Sequence, residues 1–109
     1  MSEFLPSELR HRMTLKELSR ISDEGDGFTE SWEELAELWA DVRPASGFER
    51  IEADRLSGTV SHEIALRYRA GVSPAMRFRK GTRLFQILAV IDVGERKRWI
   101  KCLCEEREL

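Results

Sequence analysis

Two segments of the sequence carry residue types that could do chemistry. The stretch LRYRAGVSPAMRFRKGTR, residues 66–83, holds six of the chain's eighteen lysines and arginines. The guanidinium group of arginine can form two parallel hydrogen bonds with a phosphate or a carboxylate. The segment SDEGDG, residues 22–27, offers carboxylate oxygens between glycines. The first segment is a candidate nucleic-acid or protein contact, and the second is a candidate cation site.

The acidic segment fits neither a calcium loop nor a phosphate loop. Its spacing lacks the alternating ligands and the terminal glutamate of an EF-hand. Its acids would repel phosphate from the two glycines. The sequence therefore predicts a flexible loop here, with no metal.

Catalytic motifs are missing from the chain. It contains no G-x-x-x-x-G-K-[ST], no H-E-x-x-H and no G-x-S-x-G. Glu33, Glu34 and Glu37 are spaced like an exposed strand or helix face rather than an acid–base pair. We expect no catalytic residue, no cofactor and no enzyme activity.

Composition predicts one soluble globular domain over residues 1–109. The chain is 41% hydrophobic and 35% charged, which is too apolar for disorder and too interrupted by charge to cross a bilayer. Residues 1–8 are expected to form a flexible segment without the pattern of a secretory signal, so a cytoplasmic origin and no membrane partner are predicted. Residues 1–43 carry eleven acids against five bases, whereas residues 61–83 carry one acid against six bases. This polarity favours association with a charged partner.

The two cysteines lie two residues apart near the C-terminus. On a strand, Cys102 and Cys104 would share one face, and residues this close rarely form a disulfide. His11 and His62 have no ligand spacing relative to them. Two buried thiols and no metal site are the prediction.

Alternation of apolar and polar residues predicts a mainly β chain. Expected strands cover residues 10–21, 62–69, 76–79, 84–93 and 97–104, with turns at 70–74, 80–82 and 94–96, and a charged tail at the end. The run 84–93 is apolar on both faces, as in a covered central strand. The strands of the C-terminal half are expected to pair in chain order as a β-meander.

Two segments of the first half are harder to assign. Trp32, Leu35, Leu38 and Trp39 have helical spacing, so periodicity alone favours a helix over residues 30–42. Leu38, Ala40 and Val42 instead occupy every second position, which fits a strand with one bulge near Leu35-Ala36. Residues 48–56 are predicted to form a short helix closed by Gly58.

The basic stretch is predicted to be a hairpin with its rings and its cations on opposite faces. Tyr68 and Phe78 fall on the core side, which weakens base stacking against the arginines. Phosphate contacts, a salt-bridged contact with an acidic neighbour, and plainly solvated arginines all remain open.

Landmarks along most of the chain resemble the phage head-tail joining, or head-completion, proteins, including their gene transfer agent versions. They begin with Leu9-Arg10-His11-Arg12, Gly27-Phe28-Thr29-Glu30-Ser31-Trp32 and Leu38-Trp39-Ala40-Asp41-Val42, and continue with Pro44, Ser46-Gly47 and Thr59 to His62. Later landmarks are Ile64, Leu66-Arg67-Tyr68-Arg69, Gly71-Val72-Ser73-Pro74, Met76-Arg77, Phe85, Ile87, Ile91-Asp92 and Glu95-Arg96. Lys80-Gly81-Thr82 and Gly94 depart from the family's usual turns.

The resemblance implies a small β-barrel or sandwich of about six antiparallel strands, with one short helix after the second strand. It makes residues 30–42 a strand. It also implies a virion protein, made in the host cytoplasm, that forms a ring of six or twelve copies below the portal. The implied partners are the portal or an adaptor, a tail-terminator or tail protein, and DNA passing without sequence-specific contact.

Two surfaces are hypothesised to serve this role. A channel or ring-contact loop would comprise Asp23, Glu24, Asp26, Phe28 and Glu30. A basic subunit-interface face would comprise Arg67, Arg69, Arg77, Arg79 and Arg83. The alternative is a small β-barrel module that binds nucleic acid through the same Arg67–Arg83 face.

Overall fold

A computed structural model describes residues 9–22, 25, 27–45 and 59–108. Six strands close into a barrel in the order β1-β2-β3-β6-β5-β4, and every neighbouring pair is antiparallel. This confirms the predicted fold class. The strands are β1 (His11–Ser22), β2 (Phe28–Pro44), β3 (His62–Arg67), β4 (Met76–Lys80), β5 (Arg83–Asp92) and β6 (Trp99–Glu108), with a 3-10 turn at Val93–Glu95.

The predicted helix over residues 48–56 lies outside the described residues. Within the part of the chain that is described, no helix is long and apolar enough to span a membrane.

β2 is a strand, as the family resemblance implies, and not the helix that periodicity favours. Leu15 pairs with Ala36 and Lys16 pairs with Glu34, so Leu35 is the extra residue of a β-bulge. The predicted bulge is thereby confirmed. Side chains change face at a bulge, because the two-residue period of the strand is interrupted there. That interruption gave the apolar residues their helix-like spacing.

The barrel interior is filled by apolar side chains from all six strands. Its buried members are Met13, Leu15, Ala40, Ile64, Leu66, Phe78, Phe85, Ile87, Ile100, Cys102 and Cys104. Both cysteines are buried and unbridged, as predicted. Burial raises the pKa of the Cys102 thiol to about 12 and raises the pKa of Cys104 as well. These thiols are therefore packing residues, not nucleophiles.

β5 is covered on both faces over part of its length, as its apolar run predicts. Ile87 pairs with Cys104 and Ala89 pairs with Leu103, which makes Leu88 a second bulge. On the outer face, Val60, Ala45 and Leu103 form a small buried cluster against Leu88 and Ala89. The segments that flank residues 46–58 therefore cover this side of the barrel.

The predicted C-terminal meander is only partly right. β4, β5 and β6 do pair in chain order. β3, however, pairs with β2 and β6, and β4 pairs with β1 and β5, so β3 and β4 lie on opposite sides of the barrel. Alternation reveals which face a residue takes but not which strand lies beside it, and this is why the basic stretch was wrongly assigned to one hairpin.

The last strand is longer than predicted. Residues 105–108, expected as a charged tail, continue β6 in register with β5, with Arg83 opposite Glu108 and Gln86 opposite Glu105. Pairing with β5 supplies backbone hydrogen bonds that an isolated charged tail would lack.

β1 and β2 extend beyond the barrel as a two-stranded ribbon, here called the arm: Leu18–Ser22 with Phe28–Trp32. β1 pairs with β4 only from Thr14 to Glu17, and β2 pairs with β3 only from Ala40 to Pro44. Among the described residues, the two arm strands pair only with each other. The arm therefore extends away from the barrel as far as the pair Ser22 with Phe28.

Candidate interaction site

A groove opens where β2 and β3 separate. Ala40 and Leu66 form the final pair between these strands; beyond it β2 continues toward the arm and β3 ends at Arg67. The groove has a volume of about 570 Å³. It is lined by Leu9, Leu38, Trp39, Leu66, Arg67, Tyr68 and Arg69.

Two large rings in this groove are exposed. Trp39 is 53% exposed and Tyr68 is 37% exposed. Trp39 points outward because its neighbour Ala40 is fully buried, and adjacent strand residues take opposite faces. Exposed tryptophan and tyrosine beside arginine match the composition of protein-interface hot spots.

The position of Tyr68 corrects one prediction. Its ring was expected on the core side, in line with Ile64 and Leu66. β3 ends at Arg67, and the Tyr68 backbone N–H donates to the carbonyl of Arg98 at 2.9 Å, outside the strand pairing. The chain turns at that point, so the alternation no longer fixes the ring direction. Phe78, by contrast, is buried as predicted.

The rim of the groove is cationic and partly ordered by stacking. Arg67 lies opposite Trp99 in the β3–β6 pair, and its guanidinium sits 5.2 Å from the Trp99 ring centroid. Arg69 is exposed beside it. Stacking holds one guanidinium in place at low entropic cost, which prepares it for a carboxylate.

The other three predicted arginines lie elsewhere and serve other contacts. Arg77 and Arg79 point outward from β4, on the far side of the barrel from Arg67. Arg79 is exposed, and its Nε–H donates to the Gly81 carbonyl at 2.9 Å. The structure thus divides the predicted basic face: Arg67 and Arg69 line the groove, Arg77 and Arg79 lie together on β4, and Arg83 lies at the start of β5.

Arg77 stacks on an aromatic ring at the base of the arm. Its guanidinium lies 3.7 Å from the centroid of Trp32. The Nε of Arg77 is buried and has no hydrogen-bond partner among the described residues. Burial is the main cause that lowers the pKa of this side chain, followed by the charges of Arg79 and Arg107. The cation–π contact fastens β4 to the arm across β1.

Arg83 forms an ion pair at one end of the barrel. Its Nε lies 2.7 Å from Oε2 of Glu106, and its Nη2 lies 3.2 Å from Oε1. The hydrogen bond raises the pKa of Arg83 and lowers the pKa of Glu106. Nearby, His62 meets the edge of Phe85 at 5.3 Å, and burial lowers its pKa. The Arg83 guanidinium lies 4.8 Å from the centroid of the buried Phe85 ring, so it covers the barrel interior at this end.

The structure describes only part of the hypothesised channel or ring-contact loop. Asp23, Glu24 and Asp26 lie outside the described residues. Phe28 begins β2, and Glu30 lies on that strand, where its Oε1 is 3.4 Å from Nε of Arg20 on β1. Phe28 and Glu30 therefore belong to a strand, not to a loop. Across the described residues, no group of three or more His, Cys, Asp or Glu could hold a metal ion.

Sequence reasoning missed the aromatic part of the groove. Trp39, Trp99 and Leu9 were not among the expected contact residues. A signal for Trp39 was present: once residues 38, 40 and 42 are assigned to the core face, position 39 must face outward. The closeness of Trp39 to Tyr68 depends on where β2 and β3 part, which alternation does not encode.

Comparison with known proteins supports the same architecture. Protein SF1141 from Shigella flexneri 2a, solved in solution, is similar with a TM-score of 0.74 and 27% identity, over 90% of this chain and 92% of that one. A chain in the virion of a native gene transfer agent particle is similar with a TM-score of 0.66 and 27% identity, over 94% of this chain and 96% of that one. None of the curated proteins matches.

A family model extends this likeness to nearly the whole sequence. Residues 4–107 match the phage head completion protein family. The matched span contains the six strands up to Arg107, the groove and the arm. The chain belongs to the phage head completion protein family and is a structural component of a virion.

Proposed function

We propose that this protein forms a ring at the head–tail connector below the portal, where it closes the DNA-filled head and offers a docking surface to the tail. The observation that carries the proposal is the family match over residues 4–107. The similar chain in the gene transfer agent virion supports it, since that chain also belongs to an assembled particle. The role is structural, and no chemical step is assigned.

The surface of the barrel suits a subunit that is held by neighbours. The groove combines the exposed rings of Trp39 and Tyr68 with the cations Arg67 and Arg69. Such rings bury large areas at low entropic cost, and arginine adds directional pairing. A surface of this kind supports contacts with other virion proteins.

The arm supports the same role. It extends the barrel with a ribbon whose loop, residues 22–27, is rich in acids. Acidic side chains can pair with cations on a neighbouring subunit of the ring. A contact with the neighbouring subunit is proposed for this loop.

The alternative function, direct nucleic-acid binding through a continuous Arg67–Arg83 face, has less support. Arg67 and Arg77 lie on strands at opposite sides of the barrel, and Arg83 pairs with Glu106. A phosphate backbone would have to pass around the barrel to reach all of them. Single-strand binders instead align cations and rings along one groove.

Reconstitution of the connector tests the proposal. Purified protein would be mixed with portal rings, with and without the adaptor of the same particle, and examined by negative-stain electron microscopy. We expect one additional ring-shaped density on the side of the portal that faces the tail. In parallel, particles lacking the protein should lose packaged DNA and carry no tails.

A DNA mobility assay separates the alternative. Ring formation with no shift of a DNA fragment at low salt supports the connector role. A shift that disappears steeply as salt is raised, with no density on the portal, would favour the nucleic-acid module instead.

A further inference from the structure

The groove and the arm tip lie at opposite ends of the same strand. Trp39 lines the groove, and Phe28 begins β2 beside the tip loop, eleven residues away along the chain. At 3.2–3.4 Å per residue, and allowing for the bulge at Leu35, this separation is about 30 Å or more. A paired β-ribbon of this length does not fold back on itself, so Phe28 lies far from the groove of its own chain.

The two ends are complementary in charge. The groove has an apolar floor of Leu38 and Leu66 and a cationic rim of Arg67 and Arg69. The tip segment SDEGDGF has three acids in seven residues and ends in phenylalanine. Carboxylates can form paired hydrogen bonds with the two guanidinium groups, and a phenyl ring can pack on the apolar floor between the exposed rings.

We propose that the acidic tip of one copy, residues 23–28, inserts into the Trp39–Tyr68–Arg67–Arg69 groove of the next copy. Donor and acceptor are different surfaces of one chain, so the contact is head-to-tail. Head-to-tail contacts close into a ring when the rotation between copies permits and grow into a filament when it does not. This inference rests on the proposed ring function and names the contact that holds the ring together.

Charge reversal with rescue tests the contact. One variant reverses the charge of the groove with Arg67→Glu and Arg69→Glu. A second reverses the charge of the tip with Glu24→Arg and Asp26→Arg, and a third carries all four changes. The first two should each reduce the yield of complete particles by roughly a hundredfold, because like charges then face each other in a desolvated contact. The third should recover most of the yield, because opposite charges face each other again.

The matched control reverses the charge of Arg79, an exposed arginine on the far side of the barrel. Arg79→Glu should leave the yield unchanged. Circular dichroism of each purified variant should match the parent, which separates lost assembly from lost folding. Normal particle yield from the tip variant, or no recovery in the fourfold variant, would overturn the contact.

Cross-linking provides a readout that does not depend on particle yield. Asp26→Cys in one preparation and Ala70→Cys in another place one reactive thiol at the tip and one beside the groove. The native Cys102 and Cys104 are buried and have raised pKa values, so they do not compete. Mixing the two on portal rings under mild oxidation should give a disulfide-linked dimer of one copy of each.

The outcomes distinguish this contact from the proposed function. Portal rings that gain density but give no mixed cross-link refute the tip-in-groove contact and leave the connector role standing. Portal rings that gain no density refute the connector role itself.

Residues 1–8 are a competing occupant of the groove, since they precede Leu9, which lines it. A chain lacking residues 1–8 should still form the cross-link, and loss of the cross-link in that chain would overturn the assignment to the tip.

Discussion

β1 and β2 contribute to both the barrel and the arm, but different interactions stabilise them in the two regions. In the barrel, Met13 and Leu15 of β1 are buried against strands on both sides. In the arm, Arg20 and Glu30 face each other across an exposed ribbon with no further strand beside them among the described residues. Apolar burial stabilises the first region, whereas the second depends on the first for its position. The barrel therefore carries the fold, and the arm and groove are the surfaces that we propose make the contacts.

Truncation of a core ring should have the largest effect. Phe85→Ala removes a fully buried ring and is expected to cost about 3–5 kcal/mol of unfolding free energy. That loss is comparable with the whole stability of a small domain. Urea denaturation followed by circular dichroism should show a chain that is largely unfolded without denaturant. Phe85→Leu, which keeps most of the volume, should remain folded; equal stability of parent and Phe85→Ala would refute the division between barrel and surface.

Truncation of the groove ring should have the opposite profile. Trp39→Ala removes a ring that is 53% exposed, so its unfolding free energy should change by less than about 1 kcal/mol. Incorporation into particles should fall at least about tenfold, as expected for an interface hot spot. Quantitative immunoblotting of purified particles gives the measurement. Normal incorporation of a folded Trp39→Ala chain would exclude the groove as an interface.

The junction between the two regions should show an intermediate effect. A double-mutant cycle of Trp32→Leu and Arg77→Gln should give a coupling of about 1–2 kcal/mol, because the stacked guanidinium is partly desolvated. The measurement is the midpoint of urea unfolding for the parent, both single variants and the double variant. The same cycle with Arg79→Gln in place of Arg77→Gln should give no coupling. A zero coupling at Arg77 would mean that the arm is not fastened by this contact.

The ion pair at the barrel end should have the smallest effect and a defined pH dependence. The hydrogen bond from Arg83 lowers the folded-state pKa of Glu106, so its contribution is present above the ordinary glutamate pKa, about 4.3, and is lost as pH falls through the folded value. Glu106 is one-third exposed, so solvent screening limits this contribution to less than about 1 kcal/mol. The stability difference between the parent and Glu106→Gln should therefore narrow as pH falls from about 6 to 3. A difference that widens on acidification would contradict the lowered pKa.

The sequence predicted well which face of a strand each residue occupies, but it predicted poorly which strands pair with each other. Alternation correctly placed Ile64, Leu66 and Phe78 inside and Arg77 and Arg79 outside, because a strand's two-residue period is a local property. It could not show that β3 and β4 lie on opposite sides of the barrel, because pairing depends on closure of the whole sheet. The helix-like spacing around Trp39 misled for a related reason, since one bulge changes the face of every later residue.

The candidate site was predictable in part. Arg67 and Arg69 were identified from their charge, and the structure does bring them to one groove. Trp39, Tyr68 and Leu9 join them only because β2 and β3 part at Ala40 and Leu66, which is a tertiary event. The ion pair of Arg83 with Glu106 was not predicted, because the two residues lie 23 positions apart, across the β5–β6 pair.

The bulge at Leu35 also bears on how such a chain can change over evolutionary time. It lies on β2 between the residues that pair with the barrel and those that form the arm. Insertions or deletions of matched residue pairs beyond it would lengthen or shorten the arm without moving a single barrel residue out of register. A one-residue insertion between Ala40 and Pro44 would instead invert the faces of the barrel strand. We therefore expect relatives of this protein to vary in arm length while keeping the barrel constant, so that reach toward a partner can be retuned without refolding the core.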